Sequence, residues 1–100
     1  MQNRRQVMGD ACEEKVEENL KSKCWILVPL EKGADFLCID NEEKASFIEA
    51  KCNKSQLTMF QKEFKKTVEN LGIPYRVQRC YCSLKEGSFL EARLVINNTS

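Results

Sequence analysis

One segment with helical periodicity lies between two short segments rich in strand-forming residues, and this order restricts the fold more than any other feature. In residues 55–71 the apolar positions recur at three- and four-residue steps, as in a helix with one buried face: Leu57, Phe60, Phe64, Val68 and Leu71. Ser55 is a candidate N-cap. Residues 45–52 and 75–82 read as the flanking strands. A strand-helix-strand unit predicts a right-handed crossover between two parallel strands.

The remaining segments extend this unit into an α/β fold. Residues 6–22 predict a first helix, with an apolar stripe of Val7, Ala11, Val16 and Leu20. Further strands are predicted at 24–29, 35–40 and 89–96, with a short helix as the alternative for residues 89–96. The order α-β-β-β-α-β-(β) predicts one domain over residues 1–100, with a mixed central sheet flanked by helices.

Charge and hydropathy limit the possible partners. The net charge is +1, so the chain as a whole is not an electropositive partner for nucleic acid. Its charges are nevertheless separated, because glutamates crowd the first helix and lysines crowd residues 51–66. No apolar run approaches the ~20 residues of a membrane helix. The N-terminal sequence does not resemble a secretory signal. We therefore expect no membrane partner and an intracellular location, either cytoplasmic or in the host cytoplasm if the chain is viral.

Six cysteines leave three interpretations open. The simplest prediction is six reduced and mostly buried thiols. One or two disulfides would fit an oxidising setting or a hyperthermophile. A cysteine-only zinc site is the third possibility, although the chain contains no C-x-x-C motif.

Three charged residues form the strongest candidate for a chemical site. Histidine is absent, so acid–base chemistry falls to carboxylates, lysine, tyrosine or cysteine. Glu49 and Lys51 lie two residues apart in a predicted strand and therefore point to the same side. A hairpin over residues 35–52 brings Asp35 toward them. Two converging carboxylates can bind Mg²⁺ or Mn²⁺, and a nearby lysine can hold a phosphate. The alternative is a structural salt bridge among the same side chains.

The surrounding sequence resembles the PD-(D/E)xK nuclease superfamily. The resemblance rests on four segments that span roughly residues 9–80: Gly33-Ala34-Asp35-Phe36-Leu37, Phe47-Ile48-Glu49-Ala50-Lys51, Leu57-Thr58-x-x-Gln61-x-x-Phe64 and Gly72-Ile73-Pro74-Tyr75-Arg76-Val77. The spacing is most similar to the small virus-type replication-repair (VRR-NUC-type) nucleases and the archaeal Holliday junction resolvases. Ala34 departs from the proline of the superfamily's name. The resemblance implies a restriction-endonuclease-like core.

The resemblance also implies roles for individual residues. Asp35, Glu49 and the backbone carbonyl of Ala50 would be metal ligands, and Lys51 the catalytic lysine. Gln61 would meet the active site or DNA from the following helix. Glu13 on the first helix would be a further metal ligand, with Glu17 as the fallback. Flanking lysines would contact phosphates: Lys54, Lys62, Lys65 and Lys66. Tyr75 and Arg79 are weaker candidates.

These expectations together describe a Mg²⁺- or Mn²⁺-dependent DNA endonuclease. It would act as a homodimer and select branched substrates such as junctions or flaps. The first alternative is a nucleic-acid-binding module that retains the nuclease fold without catalysis. The second is a cysteine-based metal or redox module.

Overall fold

The chain folds as a mixed five-stranded sheet with one helix on each face, in a computed structural model that describes residues 4–85 and 89–94 and the side chains of residues 6–82. The elements in chain order are α1 (Arg4–Lys21), β1 (Ile26–Pro29), β2 (Phe36–Ile39), β3 (Ala45–Cys52), α2 (Met59–Asn70), β4 (Tyr75–Lys85) and β5 (Phe89–Leu94). The α/β prediction is confirmed. Residues 86–88, and residues 95–96 at the end of the fifth predicted strand, lie outside the described residues.

The sheet has the strand order β1-β2-β3-β4-β5. Strands β1, β2 and β3 form an antiparallel meander, β3 and β4 are parallel, and β4 and β5 are antiparallel. The parallel pair joined through α2 is therefore confirmed. Its register places Glu49 opposite Val77 and Cys52 opposite Cys80.

The two helices cover opposite faces because neighbouring strand residues point in opposite directions. On one face, Val16 and Leu20 of α1 pack with Ile48 of β3. On the other face, Phe64 of α2 lies edge-on to Phe47 of β3, with their ring centroids 5.1 Å apart. Every second residue of β3 therefore belongs to the α2 face. This alternation directs Glu49 and Lys51 toward α2 and Cys52 toward α1.

Helix α2 begins later than the sequence pattern predicts. Thr58, not Ser55, is its N-cap, and a capping box links Thr58 with Gln61. Ser55 instead lies in a loop whose carbonyls at Asn53 and Ser55 each accept a hydrogen bond of 2.8 Å from Arg79. Arg79 therefore braces this loop from β4, and the helix starts only after the loop ends.

The predicted apolar stripe of α2 is only partly buried. Val68 is 6% exposed and Phe64 packs against the core, whereas Phe60 is 58% and Leu71 72% exposed. Leu57 also packs against the core, so the predicted stripe was wrong at Phe60 and Leu71. Among the described residues, no helix has the length and apolar character that a membrane crossing requires.

The cysteines do not form the uniform set of reduced thiols predicted above. A disulfide joins Cys24, just before β1, to Cys38 on β2. The simplest prediction was therefore wrong for these two residues. The thiols of the other four cysteines lie outside the disulfide, and three of these residues are buried.

Candidate active site

The site lies where β2 begins, at an edge beyond which β3 continues without β2 as its partner. The last β2–β3 pair joins Phe36 to Ile48, after which the Asp35 N–H donates to the Ile48 carbonyl at 3.0 Å. One step further along β3, the Ala50 N–H donates to Asp35 Oδ2 at 2.8 Å. The Asp35 carboxylate thus occupies the place of a missing strand partner. The N–H and C=O of one strand residue point to the same edge, so the Ala50 carbonyl lies on the edge that Asp35 faces.

Gly33 and Tyr75 fix the approach of the chain to Asp35. Gly33 has a φ of +86°, a conformation that side-chain-bearing residues rarely adopt. Its carbonyl accepts a 2.6 Å hydrogen bond from the Tyr75 hydroxyl, and Tyr75 is 1% exposed. Tyr75 is therefore a buried support for the loop, and its weaker assignment as a DNA contact was wrong.

Glu49 is the most deeply buried acid of the site. Its carboxylate oxygen Oε2 lies 3.5 Å from Lys51 Nζ and accepts a hydrogen bond of 3.1 Å from Gln61 Nε2. The residue is 4% exposed. Burial and the charge of Asp35 raise the pKa of Glu49 to about 7, although Lys51 acts in the opposite direction. The positive charge of Lys51 therefore does not fully offset the burial of this carboxylate and its repulsion by Asp35.

Gln61 acts at the helix terminus and at the site together. Its side-chain oxygen accepts from the Thr58 N–H at 2.9 Å, while its amide nitrogen donates to Glu49. The capping box thereby fixes the rotamer that reaches Glu49. The T-x-x-Q pattern at 58–61 is visible in the sequence and would have placed the helix start correctly.

The carboxyl groups of Asp35 and Glu13 complete the acidic part of the site. Burial raises the pKa of Asp35 more than its Ala50 hydrogen bond and Lys51 lower it. Partial desolvation and the charge of Asp35 also raise the pKa of Glu13. This solvent-exposed residue of α1 therefore lies within electrostatic reach of Asp35. Glu17, the fallback, lies 3.7 Å from Lys21 in an ion pair along the helix.

The four flanking lysines differ in their surroundings. Lys54 borders a cavity of about 560 Å³ that Lys51 also lines, between the start of α1 and the β3–α2 loop. Lys62 and Lys66 are exposed on α2. Lys65 Nζ lies 2.9 Å from Glu69 and is already paired. Of these four lysines, Lys54 lines the same cavity as Ala50 and Lys51.

The raised acid pKa values predict an unusual dependence of stability on pH in the absence of divalent cations. Glu49 titrates near 4.5 in the unfolded chain and at about 7 in the fold, so the folded state binds more protons between these values. Its contribution is therefore greatest at low pH and decreases as the pH rises. We expect the free energy of unfolding to fall by about 2 kcal/mol between about pH 5 and pH 8. Urea unfolding in EDTA measures this slope, and equal stability at both pH values would contradict it.

No family model, curated protein or solved structure matches this chain.

Proposed function

We propose that this chain is a Mg²⁺- or Mn²⁺-dependent nuclease that hydrolyses DNA phosphodiester bonds, built on a restriction-endonuclease-like core. The observation that carries this proposal is the excess of acid at the site. Asp35, Glu49 and Glu13 influence one another electrostatically, and each has a raised pKa. A structural salt bridge would pair its charges, whereas among the described side chains one ion pair, between Lys51 and Glu49, involves these three acids. Binding of a divalent cation would compensate this excess of negative charge.

The donor set fits a hard divalent cation. Carboxylates and a backbone carbonyl are the oxygen ligands that Mg²⁺ and Mn²⁺ accept, and the candidates here are Asp35, Glu49, the Ala50 carbonyl and Glu13. Bound there, the ion would lower the pKa of a water molecule and neutralise charge on a phosphate. The cavity that Ala50, Lys51 and Lys54 line offers space for a nucleic-acid backbone.

The residues around the carboxylates have distinct tasks in this proposal. Lys51, whose side chain is 13% exposed, holds the scissile phosphate or orients the attacking water. Gln61 keeps Glu49 in place through the helix cap. Lys54, Lys62 and Lys66 contribute contacts to flanking phosphates, which supply affinity without sequence selectivity.

The test is a panel of single-stranded, duplex, flap and four-way-junction DNA substrates with Mg²⁺, Mn²⁺ or EDTA. We expect cleavage only with a divalent cation, and faster cleavage of branched substrates than of plain duplex. Asp35→Asn should reduce the rate at least about 100-fold, since a metal-ligand charge is removed while an oxygen remains to accept from Ala50. The matched control is Glu42→Ala, which removes an exposed acid of the β2–β3 turn.

Three results would contradict the proposal. The first is cleavage that persists in EDTA, and the second is equal activity of Asp35→Asn and wild-type protein. The third is salt-sensitive DNA binding without cleavage of any DNA or RNA in either metal, which would identify a non-catalytic binding module. Size-exclusion chromatography of the same samples tests the expected homodimer.

A further inference from the structure

A second group of potential metal ligands lies on the α1 face of the sheet, opposite to the face toward which Glu49 and Lys51 point. The sulfur atoms of Cys12, Cys52 and Cys82, here called the thiol cluster, all lie within 4.8 Å of one another. Cys12 is 1% and Cys82 5% exposed, and Cys52 is half-buried. None of the three belongs to the Cys24–Cys38 disulfide.

The fold brings these thiols together from three separate elements. Cys12 lies on α1, Cys52 is the last residue of β3, and Cys82 lies on β4. The β3–β4 register pairs Cys52 with Cys80, and Cys82 follows two residues later on the same face. Cys80 is 0% exposed and packs in the same group, and its carbonyl accepts from the Cys12 thiol at 3.5 Å. Four sulfur-bearing side chains therefore meet under α1.

The simpler explanation is that cysteines fill this part of the core as small apolar residues. Packing alone, however, does not require cysteine on each of three elements, since alanine or valine would fill similar space. The sulfur separations are also close to those of a metal site. A tetrahedral site with Zn–S bonds of about 2.3 Å has sulfurs about 3.8 Å apart. Contraction of the cluster by about 1 Å would therefore create that geometry.

We propose that Cys12, Cys52 and Cys82 bind one thiophilic divalent ion of the Zn²⁺ type, with Cys80 as the fourth ligand. Thiolates select such an ion, whereas the carboxylates of the acidic site select a hard cation, so the two sites take different metals. Each ligand thiol releases its proton to solvent when the ion binds. The proposal of this site does not rest on the proposed nuclease activity.

An ion bound in the thiol cluster would also affect the structure of the acidic site, because two of its ligands are sequence neighbours of residues in that site. Cys12 directly precedes Glu13, and Cys52 directly follows Lys51. Ligation would tie α1 to β3 and β4 and would thereby fix the backbone at both neighbouring residues. The ion would take no part in the chemistry itself, because the side chains of Cys52 and Lys51 point to opposite faces of β3.

The full chain, reduced and freed of metal, is titrated with Co²⁺ and then with Zn²⁺. We expect one Co²⁺ per chain, with the intense visible absorption of tetrahedral cobalt and a sulfur-to-metal charge-transfer band, both lost when Zn²⁺ displaces the cobalt. Cys52→Ser should weaken binding at least about 100-fold, since loss of a ligand exceeds the 10–100-fold cost of losing groups that only orient ligands. The control is the Cys24→Ser/Cys38→Ser double variant, which removes two sulfurs outside the thiol cluster and should bind the metal as the wild type does.

A thiol-protection measurement keeps the test decisive if a serine variant fails to fold. In the Cys24→Ser/Cys38→Ser variant, Zn²⁺ should slow alkylation of Cys12, Cys52, Cys80 and Cys82 at least tenfold, as read by mass spectrometry. Binding that Cys52→Ser leaves unchanged would overturn the proposal. So would the absence of a tetrahedral cobalt spectrum, or Zn²⁺ that leaves the alkylation of these thiols unaffected.

Discussion

Replacing Lys51 by alanine is expected to lower the single-turnover rate of DNA cleavage by about 10³-fold, comparable to the loss of a group that stabilises charge in a transition state. Its ammonium group lies 3.5 Å from Glu49, and among the described side chains no other cation forms an ion pair with Asp35, Glu49 or Glu13. Without it, a phosphate near the carboxylates would lose the positive charge that offsets its own. Lys51→Arg should also be impaired, because the guanidinium is larger and planar and keeps its proton.

The control for Lys51→Ala must separate chemistry from folding. Loss of Lys51 leaves Glu49 with its Gln61 hydrogen bond but without its ion-pair partner, so some loss of stability is expected. Rates should therefore be compared below the thermal transition of both proteins.

The matched control is Lys44→Ala, which removes a lysine paired with Glu42 in the exposed β2–β3 turn and should leave the rate unchanged. DNA affinity should fall less than tenfold in Lys51→Ala, since other phosphate contacts remain. A rate within tenfold of wild type would refute the proposed role.

The part of the site that the sequence predicted best is the part set by strand geometry. The third strand was predicted at residues 45–52 and is observed as Ala45–Cys52. The period of two in a strand places Glu49 and Lys51 on one side, and the hairpin brings Asp35 next to Ala50. Short-range rules were sufficient here because each relation depends on a few neighbouring residues. The chemical roles of these residues remain predictions.

Relations between distant residues could not be read from the sequence. The Cys24–Cys38 disulfide depends on where the chain enters β1, and the thiol cluster depends on the β3–β4 register and on the position of α1. The first-helix stripe illustrates the same limit. Cys12, which the predicted stripe leaves out, is fully buried, whereas the predicted Ala11 is partly buried against the same cluster. The disulfide, the thiol cluster and the buried positions of α1 all depend on contacts between residues that are far apart in the sequence.

Gly33→Ala is expected to cost about 4 kcal/mol of unfolding free energy, from left-handed backbone strain and overpacking together. Gly33 has a φ of +86°, and a Cβ atom there would lie 2.5 Å from the ring of Phe64. That ring cannot easily move away, since Phe47 and Tyr75 lie against it with centroids 5.1 and 6.1 Å distant. A loss of this size is a large part of the ~5–15 kcal/mol that stabilises a typical domain.

Gly72→Ala is the matched control because it separates the two terms of this cost. Gly72 has a φ of +84°, yet an added Cβ would meet nothing within 4 Å. It should therefore show only the backbone term of about 1–2 kcal/mol. Urea unfolding of both variants measures the difference, and equal losses of unfolding free energy would show that the Phe64 ring moves aside without an energetic cost.

Because Asp35 follows Gly33 by two residues, a shift of this loop also displaces the Asp35 carboxylate. Gly33→Ala should therefore cleave DNA more slowly than Gly72→Ala at a temperature where both are folded.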